Sequence, residues 1–186
     1  MHPLNLTDLE IRERVWAELE RAVHDRHHEW RTPVLATVGK GGSPNARTVV
    51  LRHADAKLQN LHFYTDGRSP KTAELLHQSA VLLVFWSKRL NWQLRVQAEM
   101  AVQTNGPQVD SVWERVSQSA ASGDYLSADA PGDALQVGQA VPSDATGMHH
   151  LAILVAKVQE IDWLELRHTG HRRAVFSSNI WEWRVP

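Results

Sequence analysis

The chain has 186 residues, 42% hydrophobic and 22% charged, with 20 Lys plus Arg against 21 Asp plus Glu and no cysteine. That length suits one globular domain with a sizeable core, and the near-neutral balance excludes a protein that binds nucleic acid or anionic membrane through a global positive field. Without cysteine there is no disulfide, thiolate metal site or cysteine nucleophile, in agreement with a reducing compartment. No stretch reaches the roughly 18 apolar residues of a membrane span, and Met1 to Glu10 lacks a charged-then-apolar leader, so a cytoplasmic protein is expected.

Thr7 followed by Glu10 is a capping-box signature, and Ile11, Val15, Leu19 and Val23 then recur at four-residue spacing. These predict an N-terminal amphipathic helix over about 7–28. Its end carries His24, His27 and His28, read as a solvated helix end because no carboxylate sits beside them at a ligand spacing. From Pro33 the pattern changes to short apolar runs: 33–38, 48–51, 61–65, 81–86 and 94–102. Lys40 to Ser43 and Asp55 to Asn60 supply hairpin turns between the first three. Ser69 and Pro70 open a short helix that runs to His77, and a further helix is expected from Val109 to Ser119. Ser122 to Thr146, rich in Gly, Ala, Asp, Ser and Pro, reads as a long loop, and strands at 151–158, 161–166 and 180–185 close the chain, with a basic segment from His168 to Arg173 between the last two. The fold class is mainly β with α attachments, a closed or split antiparallel β-barrel in a single domain spanning 1–186.

Chemistry gathers first at Arg68-Ser69-Pro70-Lys71, where the unpaired N–H groups of a helix start meet a hydroxyl and two cations. An anion site and a plain N-cap beside solvated cations are both open here. In Arg47-Thr-Val-Val-Leu-Arg52, alternation sets Arg47 and Arg52 on opposite faces of one strand, and at least one of them needs an anionic partner. His149 and His150, adjacent on a strand, point to opposite faces and cannot chelate together, so no metal is assigned.

The succession Arg47 to Arg52, then Phe63-Tyr-Thr-Asp-Gly-Arg-Ser-Pro-Lys71, then Val84-Phe-Trp86 and Gln93-Leu-Arg-Val96 resembles the pyridoxamine 5′-phosphate oxidase family. The resemblance is good over about Arg31 to Val102 and resumes at the C-terminal end. It implies a split β-barrel that binds flavin mononucleotide (FMN), a cytoplasmic homodimer with flavin at the subunit interface, and no nucleic-acid or membrane partner. It also implies a role in pyridoxal phosphate biosynthesis, with a phosphorylated B6 vitamer as the small-molecule substrate, whose hydride goes to flavin N5 before O₂ reoxidises the flavin. By the same resemblance the phosphate grip falls on Arg47 and Lys71 with Ser69 and Arg68 beside them. Thr48, Val49 and Val50 lie along the ring, Tyr64 and Thr65 contact it from the next strand, and Gln93 and Arg173 complete the pocket.

On the substrate side Arg52 stands where the family's oxidases carry a lysine, and Arg115 and Ser119 keep the spacing of their phosphate ligands, with Ser111 in place of a tyrosine. Arg172 is the remaining substrate candidate. Because this motif is altered, two further readings stand beside the oxidase: an FMN-binding carrier or redox sensor without B6 oxidase activity, and an NAD(P)H-dependent flavin reductase.

Overall fold

A computed structural model describes residues 6–134 and 148–186. The first helix, α1 (Asp8–His24), opens on the expected reciprocal cap: the Thr7 N–H donates to Glu10 at 2.7 Å, and the Glu10 N–H donates to the Thr7 hydroxyl at 3.4 Å. It buries Ile11, Val15, Trp16, Leu19 and Ala22. The helix stops at His24 rather than near 28, because Asp25 leaves helical geometry and its carboxylate accepts the His27 N–H at 2.9 Å. His28 departs from the solvated reading. It is buried, with Nε2 2.7 Å from Glu18 and Nδ1 accepting the Trp30 N–H at 3.1 Å. Its carboxylate partner lies in the preceding helix, which ligand spacing alone does not reveal.

Nine strands follow among the described residues: β1 (Val34–Val38), β2 (Pro44–Thr48), β3 (Leu51–Asp55), β4 (Asn60–Asp66), β5 (Ala80–Ser87), β6 (Trp92–Gln103), β7 (Leu151–Glu165), β8 (Arg172–Phe176) and β9 (Trp181–Arg184). The helices α2 (Pro70–His77) and α3 (Pro107–Val116) interrupt them. Every pairing is antiparallel, in the order β2-β1-β5-β6-β7-β4-β3, with β8 on β7 and β9 on β8.

The two ends of that path, β2 and β3, are consecutive in the chain. Only Val49 and Val50 join them, so Thr48 and Leu51 stand at most about 11 Å apart, and the sheet has to curl until its edges nearly meet. The edges are not paired to each other, which makes a split barrel. The expected single strand through Arg47 and Arg52 is therefore two strands, and these arginines belong to opposite edges of the split. The Val49 N–H is bonded to the Pro33 carbonyl at 3.0 Å, which pins the crossing. Inside lie Trp30, Leu35, Leu51, Phe63, Phe85, Leu94 and Trp163, in one core with the apolar stripe of α1, which packs against β3.

Two bulges shape the sheet. In β3, Leu51 opposes Phe63 and His53 opposes His62, leaving Arg52 as the extra residue. In β7, Gln159 is extra between Val158 and Glu160, which shifts the inward set from Val158 to Ile161. That phase shift is why the sequence reads as two strands where there is one. The strand β8 falls where a basic connection was expected: Ala174 and Phe176 turn inward, while Arg172 and Arg173 find carboxylates on β7. Of the long segment 122–146, residues 135–147 lie outside the described residues, and its start forms a 3-10 turn (Ala120–Tyr125).

Candidate functional site

The first cluster sits where β4 runs into α2. Ser69 is the N-cap of α2, yet its side chain makes no capping bond, so the plain-cap reading does not hold. The buried hydroxyl instead accepts from Lys71 Nζ at 3.0 Å, and the same ammonium donates to the Thr65 hydroxyl at 2.8 Å. Burial, and after it the nearby positive charge of Arg47, pull the Lys71 pKa below its ordinary value.

Arg47 arrives from β2. Its guanidinium donates to Thr37 and, at 2.9 Å, to Glu74. Glu74 also accepts from Thr37 at 2.5 Å and from Asn45 at 2.7 Å. Burial alone would raise the Glu74 pKa, but the bonds from Thr37, Arg47 and Asn45 outweigh it and hold it low. Two neighbouring cations, one of them held on buried hydroxyls at a helix start, fit the phosphate of FMN: an anion there offsets the cost of the desolvated Lys71 charge and its repulsion from Arg47. Thr48 ends β2 directly after Arg47, and Val49 and Val50 form the crossing. Arg68 is turned elsewhere. It holds Asp66 through Nε at 3.1 Å and NH2 at 2.7 Å, and it donates to the carbonyls of Ser127, Ala128 and Asp129, clamping that loop to the start of α2.

The second cluster lies on the other face of β4, because Tyr64 and Thr65 are adjacent on a strand and point opposite ways. A cavity of about 300 Å³ is lined by Arg52, His53, His62, Tyr64, Gln108, Ser111, Val112 and Arg115. The bulge sets the Arg52 guanidinium 5.8 Å from the centre of the Tyr64 ring. Arg115 reaches Ser111 at 3.5 Å, and the His53 and His62 rings are 4.7 Å apart. Burial, then His53, lower the His62 pKa against the opposing pull of Asp55. Ser119 stands apart from the cavity: its hydroxyl donates to the Val116 carbonyl at 2.8 Å and accepts the Ala121 N–H at 3.3 Å.

The third group is on the outer sheet surface. Register aligns Trp86, Gln93, Leu164, Arg173 and Arg184 in one cross-strand row, with Arg95 and Asp162 in the next. Asp162 takes two bonds from Arg173, at 3.0 and 2.8 Å, and one from Arg95 at 3.3 Å, and this pairing raises the Arg173 pKa. Arg172 faces the other way. It donates to the Leu6 carbonyl at 3.0 Å, lies 3.7 Å from Glu165, and stacks over Trp163 and Trp183.

Sequence reasoning missed Glu74, Thr37 and Asn45 around Arg47, and His53 and His62 in the cavity. For Thr37, Asn45, His53 and His62 the signal was the hairpin turns, each of which fixes a register, pairing Thr37 with Asn45 and His53 with His62; Glu74 on α2 had no such signal. Among the described residues no three His, Asp or Glu side chains gather as a metal site, and no helix is long and apolar enough to cross a membrane.

Residues 13–104 match the family described as pyridoxamine 5′-phosphate oxidase, FMN-binding domain. A pyridoxine/pyridoxamine 5′-phosphate oxidase of Bartonella henselae is 39% identical over 79 residues, 42% of this chain and 37% of that protein. One from Thermosynechococcus vestitus is 37% identical over 47% of this chain and 39% of its own length. The match thus spans well under half of these relatives. Among solved structures, a pyridoxamine 5′-phosphate oxidase-related, FMN-binding protein of Nostoc punctiforme superposes with a TM-score of 0.70 at 19% identity, covering 98% of this chain and 100% of its own. PhzG of Burkholderia lata does so with 0.70 at 17%, covering 98% and 94%. At those identities the likeness is one of fold.

Proposed function

The chain belongs to the pyridoxamine 5′-phosphate oxidase-like, FMN-binding family, and from that premise we propose that it is an FMN-dependent oxidoreductase whose substrate is a small molecule bearing an anionic group. The observation that carries this is the Arg47–Lys71 pair, a partly desolvated ammonium on the Ser69 and Thr65 hydroxyls that feels the positive charge of a nearby guanidinium. When bound, FMN supplies a hydride acceptor at N5 that O₂ reoxidises. The chain's own residues do the rest. Lys71, Arg47 and Ser69 hold the phosphate, while Arg52 and Arg115 orient the substrate anion in the cavity beyond β4. Ser119 and Arg172, engaged with other partners, stand outside that pocket.

The residues that the resemblance assigns to the cofactor are divided between the Lys71 cluster and the outer row of Gln93 and Arg173, which supports a site shared by two copies of the chain. The outer face of β1 and β5 supports the same arrangement, since Val34 (37% exposed), Val38 (37%) and Trp86 (44%) leave apolar surface there. The altered motif at Arg52 keeps the charge but replaces a compact ammonium by a planar fork, which supports a small oxyanion-bearing substrate without singling out a B6 phosphate.

The test is to identify the chromophore of the purified protein, then add pyridoxine or pyridoxamine 5′-phosphate anaerobically. Bleaching of the flavin band is the expected result. Flavin that stays oxidised with these substrates but bleaches with NAD(P)H moves the protein to the reductase reading. Flavin inert to all of them makes it a carrier or sensor, and a protein that does not bind FMN overturns the proposal.

A further inference from the structure

We propose that His62, backed by His53, is a proton-linked ligand for the substrate's anionic group, so that the pocket takes up a proton as it takes up the anion. This rests on the reading of the Arg52–Arg115 cavity as the substrate side of the site. The hairpin places His53 opposite His62, and the bulge swings Arg52 onto the face of Tyr64, so two imidazoles and two guanidiniums line one cavity of about 300 Å³. No carboxylate is among the described residues that line it.

The groups facing His62 come from each neighbouring element. From β3 there are Arg52, His53 and Asp55, and from β4 itself Tyr64. From α3 come Arg115, Ser111 and Gln108, and β7 presents the apolar Val155 beside it in register. Asp55 is the one acid of this set. It is exposed in part and already accepts the Lys57 and Leu58 N–H groups, both at 2.8 Å.

Burial, and after it His53, lower the pKa of an imidazole so placed. An oxyanion between the two arginines reverses the balance. An opposite charge within about 4–6 Å favours the imidazolium, which can then donate a charge-assisted hydrogen bond to the anion. Linkage requires the converse as well: if the anion raises His62 by about one pKa unit, the protein protonated at His62 binds it about tenfold tighter than the neutral one. A merely structural ring pair has no such coupling.

Sulfate is the probe, because it remains a dianion throughout the range in which histidine titrates, so any pH dependence belongs to the protein. FMN-loaded protein is used, with the phosphate grip occupied. His62 is followed by imidazole NMR with and without sulfate, and sulfate affinity is measured between about pH 5 and 8. Expected are an upward shift of the His62 midpoint by about one unit and an affinity about tenfold weaker at the alkaline end. In His62→Gln that slope falls below about twofold, and Arg115→Ala weakens sulfate at every pH. Should His62→Gln fail to retain flavin, His53→Gln serves instead: it raises the His62 midpoint of the empty pocket and shrinks the shift that sulfate causes. Sulfate binding that depends on Arg115 but leaves His62 unmoved overturns the inference and keeps the pocket. Sulfate binding that Arg115→Ala does not touch at any pH overturns the pocket reading and the inference with it.

Discussion

At Lys71 one residue carries a conflict between stability and binding. The folded protein holds its proton less tightly than the unfolded chain does, so its charge costs stability at neutral pH. That stability returns only as pH rises between the lowered value and the ordinary 10.5. Lys71→Met removes the charge while keeping the length, and the Thr65 and Ser69 hydroxyls remain 3.4 Å apart. The variant is expected to keep or raise the melting temperature of the flavin-free protein while weakening FMN by about tenfold or more and riboflavin little. Arg47→Ala weakens FMN in the same way but leaves the Glu74 carboxylate without its cation, at a cost of about 1–3 kcal/mol to the flavin-free protein. Thermal melts with titrations of both flavins check the contrast, and equal destabilisation by the two substitutions would falsify it. The contact between Ser69 and Lys71 was legible in the sequence because a helix start beside cations is a local signal, whereas Arg47 was placed with them only by the family resemblance. Glu74 was not, since its contacts to Thr37, Asn45 and Arg47 depend on a hairpin register and on where α2 packs.

Among the elements, α1 is attached by its apolar stripe and, beside it, by the buried carboxylate of Glu18. Glu18 accepts His28 Nε2 at 2.7 Å and Arg89 NH2 at 2.6 Å, tying the helix to the 3-10 turn (Glu29–Arg31) and to the β5–β6 connection. Burial would raise its pKa, but the bonds from His28 and Arg89 prevail and lower it below 4.5. A carboxylate depressed in the folded state contributes stability that is present above its unfolded value and is lost as pH falls through the folded one. Glu18→Gln is therefore expected to cost about 1–3 kcal/mol at neutral pH and to flatten the acid side of the stability profile below 4.5. Urea unfolding across that range measures both effects, and an unchanged acid limb would count against the assignment. The elements were legible wherever their patterns were self-contained, as in α2, β5 and β6. They were not where pairing supplied the missing information: the extra Gln159 disguised β7 as two strands, and the charges of Arg172 and Arg173 hid β8 until Glu165 and Asp162 stood opposite them.

For the whole molecule, the described residues of the split barrel carry an exposed apolar face of Val34, Val38 and Trp86, with the row from Gln93 to Arg173 beside it. The family pattern made the barrel legible, but the sequence could not show that Thr65 and Gln93 face different sides of the same sheet, because that follows from the curl and the register together. If two copies pair through the apolar face, each flavin takes its phosphate contacts from Lys71 of one copy and ring contacts from Gln93 of the other. A charge on that face then has to be buried without a partner, so Trp86→Glu is expected to yield a folded monomer by sedimentation velocity that no longer retains FMN. Complementation separates a shared site from a private one. Lys71→Met and Gln93→Ala each lower flavin occupancy alone; in a mixture refolded together, a heterodimer with shared sites has one site carrying both lesions and one carrying none. About a quarter of all sites should then bind FMN with the unmutated affinity under random pairing. If both contacts came from one chain, every site in the mixture would carry one lesion, and no tight-binding class would emerge in the titration.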